Sequence, residues 1–446
     1  MFRDTAFLRR LFTLTLPFTL QNVMLALVAA ADAFMLGAAS QDAMAAVSLA
    51  TQIQFIQNML LAAIVCGIGI LGAQYWGKKD LAAMGAIFGI GLRQTTVICV
   101  ACFLGCFFWP EALMRLFAHD ETLLRLGVDY LRIAAWSYLL TGASQCYLAI
   151  MKVSDHASRT AWISSGAVVL NIVLNALFIF GWFGLPKMGV RGAALATLLA
   201  RVIELGWCVV SSYGRTFIRL RLKDVFTFNR VLVADFWHYT LPVFGAYLIW
   251  GVGFTAYTAI MGHLGPAAAA ANAVAAVVRD LMCCVCNGLC GATVIVIGNE
   301  LGAGRLQQGR LYGDRLMRLS FALGFANCLL VLALIPFLSA CMKLDAQAMA
   351  YMKGMFAILA VYMIGRTVCT IVINGIFSAG GDTIFDVVSL VVFMWGIALP
   401  CAFASAFYFR LPVYVVYACT CLDEVGKVPW VICHYRKYLW VKNITR

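Results

Sequence analysis

Long apolar runs recur along this chain, and they constrain its fold more than any other feature. A helix needs about 20 residues to cross the roughly 30 Å of hydrocarbon in a bilayer. The composition agrees, because 63% of the residues are hydrophobic and only 12% are charged. The sequence therefore predicts an all-α membrane protein with twelve transmembrane helices. The predicted spans are 12–37, 47–72, 84–108, 127–150, 161–184, 192–212, 233–262, 268–298, 313–340, 354–378, 384–409 and 412–433.

Lysine and arginine are unevenly shared between alternate loops. Eighteen lie on the side that holds both termini and seven on the other side. Because these residues accumulate on the cytoplasmic side of a membrane, we expect a multi-pass protein of the cell inner or plasma membrane with both termini in the cytoplasm. The net charge of +13 follows mostly from this bias and from attraction to anionic lipid. No other feature indicates a nucleic-acid partner.

The two halves of the sequence match each other at a shift of 225 residues. The shift aligns Leu16-Pro17 with Leu241-Pro242 and Gly77 with Gly302 without a gap. Each half has six predicted spans, so the repeats are parallel, and a central cleft is expected between two lobes. Rocking of the lobes exposes such a cleft to each side of the membrane in turn, which is typical of a carrier.

The domain boundaries follow from this repeat. We expect a six-helix N-terminal lobe over residues 1–213 and a basic cytoplasmic linker over 214–232. A six-helix C-terminal lobe with a short cytoplasmic tail is expected over 233–446.

Asp32 is the leading candidate for a functional site. A charge inside a span costs on the order of 3 kcal/mol, so such residues usually face protein or a water-filled cavity. No basic residue lies within a turn or two of Asp32 on its own helix, and the 225-residue shift places Tyr257 at the equivalent position. The acid therefore belongs to one lobe alone. The alternative is that Asp32 is buried and caps backbone groups near the helix end.

Neutral polar residues are the expected neighbours of Asp32. Asn171 and Asn175 are four residues apart and share one face of the fifth span, and Thr197 lies on the sixth span. An acid among amide and hydroxyl oxygens can hold a proton or ligate a small hard cation. Pro17 precedes Asp32 by fifteen residues and allows this helix to bend.

Other charged residues within spans are predicted to form ion pairs or to line the cleft. Arg201 and Glu204 are three residues apart, and Asp423 and Lys427 are four apart, so each pair is expected to neutralise itself on one helix face. Adjacent Arg279 and Asp280 are expected to point to different partners.

Aromatic residues at helical spacing in the seventh span, including Trp250 and Tyr257, suit either binding of flat cations or ordinary packing. The cysteines Cys283 to Cys290 are expected to pack within a helix rather than bind metal. The candidate cleft and substrate residues are Glu204, Arg201, Trp250, Tyr257, Arg279 and Arg366.

Several motifs resemble those of the multidrug and toxic compound extrusion (MATE) transporters, and together they cover essentially the whole chain. They are LP with a downstream D…MLG in the first span, AAVSLA, GAQYWGKKD, the run NIVLN…IFGWFGLPKMGVRGAALAT, GNELGAGR and SAGGDT. The resemblance implies secondary active antiport, in which organic compounds, often cationic or amphipathic, are exported in exchange for H⁺ or Na⁺.

The resemblance also implies roles for individual residues. The family's first-helix proline and aspartate fall on Pro17 and Asp32, its paired fifth-helix polar residues on Asn171 and Asn175, and its sixth-helix threonine on Thr197. In part of the family the second fifth-helix residue is an acid, whereas here it is Asn175. Other members couple ions through a carboxylate in the seventh helix, which is missing here, so the chain is most similar to the DinF-like branch that couples through the first lobe.

A flippase for a lipid-linked oligosaccharide or another lipid-like substrate, from the same superfamily, is the main alternative. An enzyme would need clustered acids or histidines, and the five histidines are scattered. We therefore expect a monomeric transporter with small organic substrates and membrane lipids as partners, and with no cofactor or metal beyond the coupling ion.

Overall fold

Helices account for nearly all of the described chain. The computed structural model describes residues 5–117, 120–184, 186–213, 229–341 and 345–445, and no β-strand occurs among them. The predicted all-α class is therefore confirmed. The α-helices are α1 Thr5–Ala39, α2 Gln41–Lys78, α3 Leu81–Phe108, α4 Pro110–Arg115, α5 Glu121–Val153, α6 Ala157–Phe180, α7 Val190–Ser212, α8 Arg230–His263, α9 Pro266–Gly302, α10 Leu306–Cys341, α11 Ala346–Cys369, α12 Ile384–Leu390, α13 Leu399–Phe403, α14 Val413–Thr420, α15 Leu422–Val425 and α16 Val428–Tyr435.

Three π-helical segments extend or join the later helices. They are Thr370–Phe377, which continues α11, Val391–Ala398, which joins α12 to α13, and Ala404–Tyr408, which continues α13. A single 3₁₀ turn, Trp182–Gly184, follows α6.

Ten helices in the described parts of the chain are long and apolar enough to cross a membrane. The other two predicted spans also fall on helical residues. Span 127–150 lies within α5, which carries Asp129 and Arg132, and span 412–433 is divided among the short helices α14, α15 and α16.

Capping residues in the sequence set several helix ends. Ser40 accepts a hydrogen bond from the backbone N–H of Ala43 at the start of α2, and Asp80 accepts one from Ala83 at the start of α3. Side-chain oxygens at this position satisfy N–H groups that have no partner within the helix. Lys79 ends α2 in a left-handed conformation with φ of 62°, as is common at helix C-termini.

Two compact units make up the chain. The first-half unit contains residues 20–237, and the second-half unit contains residues 1–19 with 238–446. Helix α1 therefore contributes residues to both units, and the division falls close to Pro17. The lobe boundaries expected from the sequence, including the linker within 214–232, remain a prediction, and residues 214–228 lie outside the described part of the chain.

The beginning of α1 packs within the second-half unit. The ring centroids of Phe7 and Tyr312 are 4.5 Å apart. A side chain at Gly288 on α9 is excluded, because its Cβ would lie 2.9 Å from the backbone nitrogen of Thr19. This glycine therefore allows two helix backbones to approach closely.

Candidate functional site

Asp32 on α1 is joined to α6 by a hydrogen bond. The Nδ2 group of Asn175 donates to Oδ1 of Asp32 and also to Oδ1 of Asn171, which is 3.1 Å away. Asn175 is only 1% exposed and Asn171 is also buried. The structure thus brings together three of the residues predicted from the sequence.

Thr197 on α7 extends this line of polar groups. Nδ2 of Asn171 donates to Oγ1 of Thr197 at 3.4 Å, and Thr197 donates in turn to the backbone carbonyl of Ala193 at 3.0 Å. A connected line therefore runs from Thr197 through both asparagines to the carboxylate of Asp32. We call these four residues the Asp32 line.

A second polar contact between α1 and α6 was not predicted from the sequence. Gln21 donates to Oγ of Ser164 at 3.1 Å, and both side chains are buried. Both this bond and the Asp32–Asn175 bond join residues 143 positions apart, so the two helices run parallel in one register. Gln21 lies eleven residues before Asp32, which is three helical turns; this spacing within an apolar span was the signal that could have identified it.

The connection between α6 and α7 positions the two asparagines opposite Thr197. Gly181 ends α6 in a left-handed conformation with φ of 71°, and the N–H of Met188 donates back to the carbonyl of Phe178 at 2.9 Å. A Cβ on Gly192 would lie 2.7 Å from that same carbonyl oxygen. The start of α7 can therefore lie against the end of α6 only because residue 192 has no side chain.

Two oxygens of the Asp32 line remain available as acceptors. Oδ1 of Asn175 is buried without a hydrogen-bond partner, and Oδ2 of Asp32 accepts no hydrogen bond from the residues that the structure describes. An unpaired buried oxygen is costly. A carboxylate oxygen and an amide oxygen are ligands suited to a proton or a hard cation.

An apolar core lies one helical turn from the Asp32 line. Leu36, Ile179 and Ala193 are each four residues from a member of the line, and all three belong to one buried cluster that also contains Tyr130 and Tyr138. Electrostatic interactions are stronger in such a water-poor environment than in bulk water.

The predicted pair of Arg201 and Glu204 is present in the first-half unit. Nη1 of Arg201 lies 2.6 Å from Oε2 of Glu204, and the glutamate is buried. Both residues are on α7, the helix that carries Thr197, so the charge of Glu204 is balanced within its own helix.

The aromatic candidates lie in the second-half unit. Trp250 and Phe254 are stacked with centroids 5.3 Å apart, and the guanidinium of Arg279 lies 4.6 Å from the Phe254 ring. Tyr257 is packed in a buried apolar cluster with Met394, and its hydroxyl has no hydrogen-bond partner among the described residues.

Two predicted ion pairings were wrong. Arg279 does not point away from Asp280 but bonds to it at 2.8 Å, because the long arginine stem can turn back towards a neighbouring residue. Lys427 pairs with Glu424 at 2.9 Å rather than with Asp423. Glu424 also pairs with Arg366 at 2.6 Å. Glu424 thus gives each of the two cations a partner for its charge, and an unpaired buried charge is strongly unfavourable.

Comparison with known proteins identifies relatives of the whole chain. The MatE family model matches residues 17–177 and again residues 242–404. The two matches begin 225 residues apart, which confirms the predicted duplication. The uncharacterized transporter YisQ of Bacillus subtilis strain 168 is 24% identical over 444 residues, which are 97% of this chain and 95% of YisQ.

Two further proteins are similar over most of their length. The probable multidrug resistance protein NorM of Rhizobium meliloti strain 1021 is 25% identical over 84% of this chain and 82% of NorM. A crystal structure of the MATE transporter VcmN from Vibrio cholerae matches with a TM-score of 0.87 at 16% identity, over 99% of this chain and 98% of VcmN. At this identity the structural match shows a shared fold.

Proposed function

Because this chain belongs to the MatE family of multidrug efflux transporters, we propose that it is a secondary active antiporter that exports organic compounds in exchange for H⁺ or Na⁺. Members of this family are transporters and not enzymes. The substrates proposed are cationic or amphipathic organic molecules, and the name of the NorM relative, which refers to multidrug resistance, supports this class.

The Asp32 line is the observation that carries the proposal. It contains one carboxylate, whose Oδ1 accepts a hydrogen bond from Asn175, while its Oδ2 accepts none from the described part of the chain. Binding of one proton or one sodium ion neutralises that single charge, and its release restores it. Each half-cycle therefore changes the net charge of a largely buried site by one unit, which is a large electrostatic change in a low-dielectric environment.

Helix α1 is proposed to transmit this change. Asp32 lies in the part of α1 that belongs to the first-half unit, whereas residues up to Thr19 belong to the second-half unit. Pro17 lies inside the helix, where it removes one backbone hydrogen bond and so makes bending easier. Cation binding at Asp32 is thus proposed to bias the bend of a helix that both units share, as alternating access requires.

We propose coupling through the first half, as in the DinF-like branch, and the distribution of acids supports this. Helix α8 corresponds to α1 in the repeat, and its sequence has no Asp or Glu from Tyr239 to Gly265. We propose that Trp250 and Phe254 contact flat organic cations. Arg201, Glu204, Arg366 and Tyr257 stay predicted cleft residues, and a monomeric state stays a prediction.

Vesicles containing the purified protein test this proposal. A proton gradient or a sodium gradient is imposed separately, and the movement of ethidium is followed by fluorescence. We expect one of the two gradients to drive ethidium transport, and Asp32→Asn to reduce it to the level of protein-free vesicles. The control is Asp42→Asn, since Asp42 is an exposed acid in the first turn of α2.

Three results would contradict the proposal. They are normal gradient-driven transport by Asp32→Asn, ethidium movement that depends on neither gradient, and equal loss in Asp42→Asn. Movement of a labelled isoprenoid-linked sugar in place of ethidium would instead favour the flippase.

A further inference from the structure

The segment 436–445, which follows α16, is packed against the second-half unit. Trp440 is fully buried. Nearby, the hydroxyls of Tyr435 and Tyr438 both donate to Oδ1 of Asp314 on α10, at 2.7 and 3.2 Å. The guanidinium of Arg310, one turn earlier on α10, lies 3.8 Å from the Tyr438 ring. This segment is therefore held by aromatic packing, by hydrogen bonds to a carboxylate and by a cation–π contact.

Two glycines make room for Trp440. A Cβ on Gly313 of α10 would lie 2.7 Å from Cζ2 of the Trp440 ring. A Cβ on Gly380, in the turn between the π-helical end of α11 and the start of α12, would overlap the carbonyl oxygen of Trp440. The tryptophan ring and backbone thus occupy the volumes in which side chains would lie at these two positions.

The internal repeat shows what replaces this arrangement in the first half. Helix α3 begins at Leu81 and α10 at Leu306, so Phe88 and Gly313 are equivalent, each seven residues into its helix. Phe88 is fully buried and packs edge-on against Tyr147 at 4.8 Å. An aromatic ring therefore fills the core at this level in both halves, but in the second half it comes from Trp440.

The two halves also differ in how two of their turns are joined. These are the turns after α2 and before α6 in the first half, and the turns after α9 and before α12 in the second half. In the first half, Trp76 near the end of α2 donates to Asp155 at 2.9 Å, and Asp155 is the left-handed residue of the turn before α6. In the second half the 225-residue shift places Leu301 opposite Trp76. The left-handed residue of the turn before α12 is Gly381, so neither side chain can form such a bond. Here Nδ2 of Asn443 donates to the carbonyl of Gly302 at 3.4 Å.

The turn before α12, residues 378–383, also contacts the segment 436–445. Ile444 is buried, and its Cγ2 lies 3.3 Å from the Cβ position of Gly381. Trp440 covers Gly380 in that turn. The segment 436–445 therefore touches both turns, 302–305 and 378–383.

We propose that residues 436–445 form a strap that completes the second repeat. Trp440 replaces the buried ring of Phe88, and the contacts of Asn443 and Ile444 replace the Trp76–Asp155 tie. The strap makes the turns 302–305 and 378–383 move as one body. The strap has this role whichever compound or ion is transported.

Hydrogen exchange measured by mass spectrometry on the full-length protein in detergent tests the strap. In Trp440→Ala we expect faster exchange at residues 298–305 and 378–383, no change at 77–80 and 153–157, and a midpoint of thermal unfolding lower by about 4 °C or more. Leu439→Ala is the matched control, because Leu439 is next to Trp440 in the chain but is 56% exposed. Trp440→Phe keeps a ring in the core and is expected to lie close to the original protein.

A compensating pair separates this proposal from a general loss of stability. Gly313→Phe alone is expected to expel Trp440 and lower the midpoint. Gly313→Phe combined with Trp440→Ala recreates the arrangement of Phe88, and its midpoint is expected to exceed that of either single variant. Additive losses in the double variant would overturn the proposal.

Milder variants keep the test decisive if Trp440→Ala does not fold. Asn443→Ala is expected to increase exchange at 298–305 alone, and Trp76→Phe to increase exchange at 153–157 alone. Unchanged exchange at 298–305 in Asn443→Ala would show that the segment does not hold this turn, and the proposal would be abandoned.

Discussion

At the scale of single residues, the Asp32 line is a chain of hydrogen bonds, each with a defined donor and acceptor. Both N–H groups of the Asn175 amide are used, one by Asp32 and one by Asn171, and no described residue donates to its own oxygen. The orientation of this amide fixes which oxygens would face the proposed coupling ion. Hydrogen bonds to a charged group contribute about 1.5–3 kcal/mol each. We therefore expect loss of the Asn175–Asp32 bond to slow transport more than loss of any other bond in the line.

Substitutions along the line are expected to have graded effects. Asn175→Ala removes the donor to Asp32 and should slow gradient-driven ethidium transport by about tenfold to a hundredfold. Thr197→Val keeps the side-chain shape and removes a bond two steps away, so we expect a change of less than about threefold. Initial rates in vesicles, corrected for the amount of inserted protein, measure both. A Thr197→Val defect as large as that of Asn175→Ala would show that the line does not work through Asp32.

At the scale of helices, parallel packing of α1 on α6 and close packing of α6 on α7 place the four side chains. The Gln21–Ser164 and Asp32–Asn175 hydrogen bonds fix the register of α1 against α6. The packing of α6 on α7 depends on Gly192, whose missing side chain leaves room for the carbonyl of Phe178. Glycine inside a helix lowers its stability by roughly 0.5–1 kcal/mol relative to alanine, and here the close approach offsets that loss.

Gly192→Ala is expected to separate α6 from α7. The added methyl group meets a backbone oxygen, so we expect a loss of about 1–3 kcal/mol and slower transport, because Asn171 is drawn away from Thr197. The matched control on the same helix is Gly206→Ala, where a Cβ meets no atom within 4 Å and stability should rise slightly. Thermal unfolding and vesicle transport measure the two effects. Equal behaviour of the two variants would contradict the packing argument.

At the scale of the whole molecule, duplication has preserved the fold while the chemistry of the halves has diverged. The family model matches each half once, and the helices α3 and α10 begin at equivalent positions. The isolated acid of α1 has Tyr257 as its equivalent, whereas the second-half unit has buried Glu424 paired with Arg366 and Lys427. A charge without a cationic partner can titrate or bind an ion, whereas one held between two cations is already compensated.

The bias of lysine and arginine predicts the orientation of the whole chain in the membrane. We expect green fluorescent protein fused after residue 446 to fluoresce, because both termini are predicted to be cytoplasmic. Alkaline phosphatase fused after Lys187, between α6 and α7, should be active, and the same enzyme fused after residue 446 should be inactive. The reverse pattern would show that the chain is inserted the other way.

The sequence by itself determined the class of fold, the duplication and the membership of the Asp32 line. Apolar runs of about 20 residues leave few alternatives to membrane-spanning helices, and an isolated acid in such a run is conspicuous because it is costly. Helical periodicity also shows which residues share a face, which is why Asn171 and Asn175 were identified together.

Only the tertiary structure decided which groups from different helices meet. The Gln21–Ser164 contact, the choice of Glu424 over Asp423 as the partner of Lys427, and the burial of Trp440 against Gly313 each join residues on separate elements or depend on the reach of a long side chain. Spacing along one helix sets the direction of a side chain but not the distance to its neighbours. Those distances depend on how closely two backbones pack, and here they are set by glycines whose role is visible only when the opposing helix is in place.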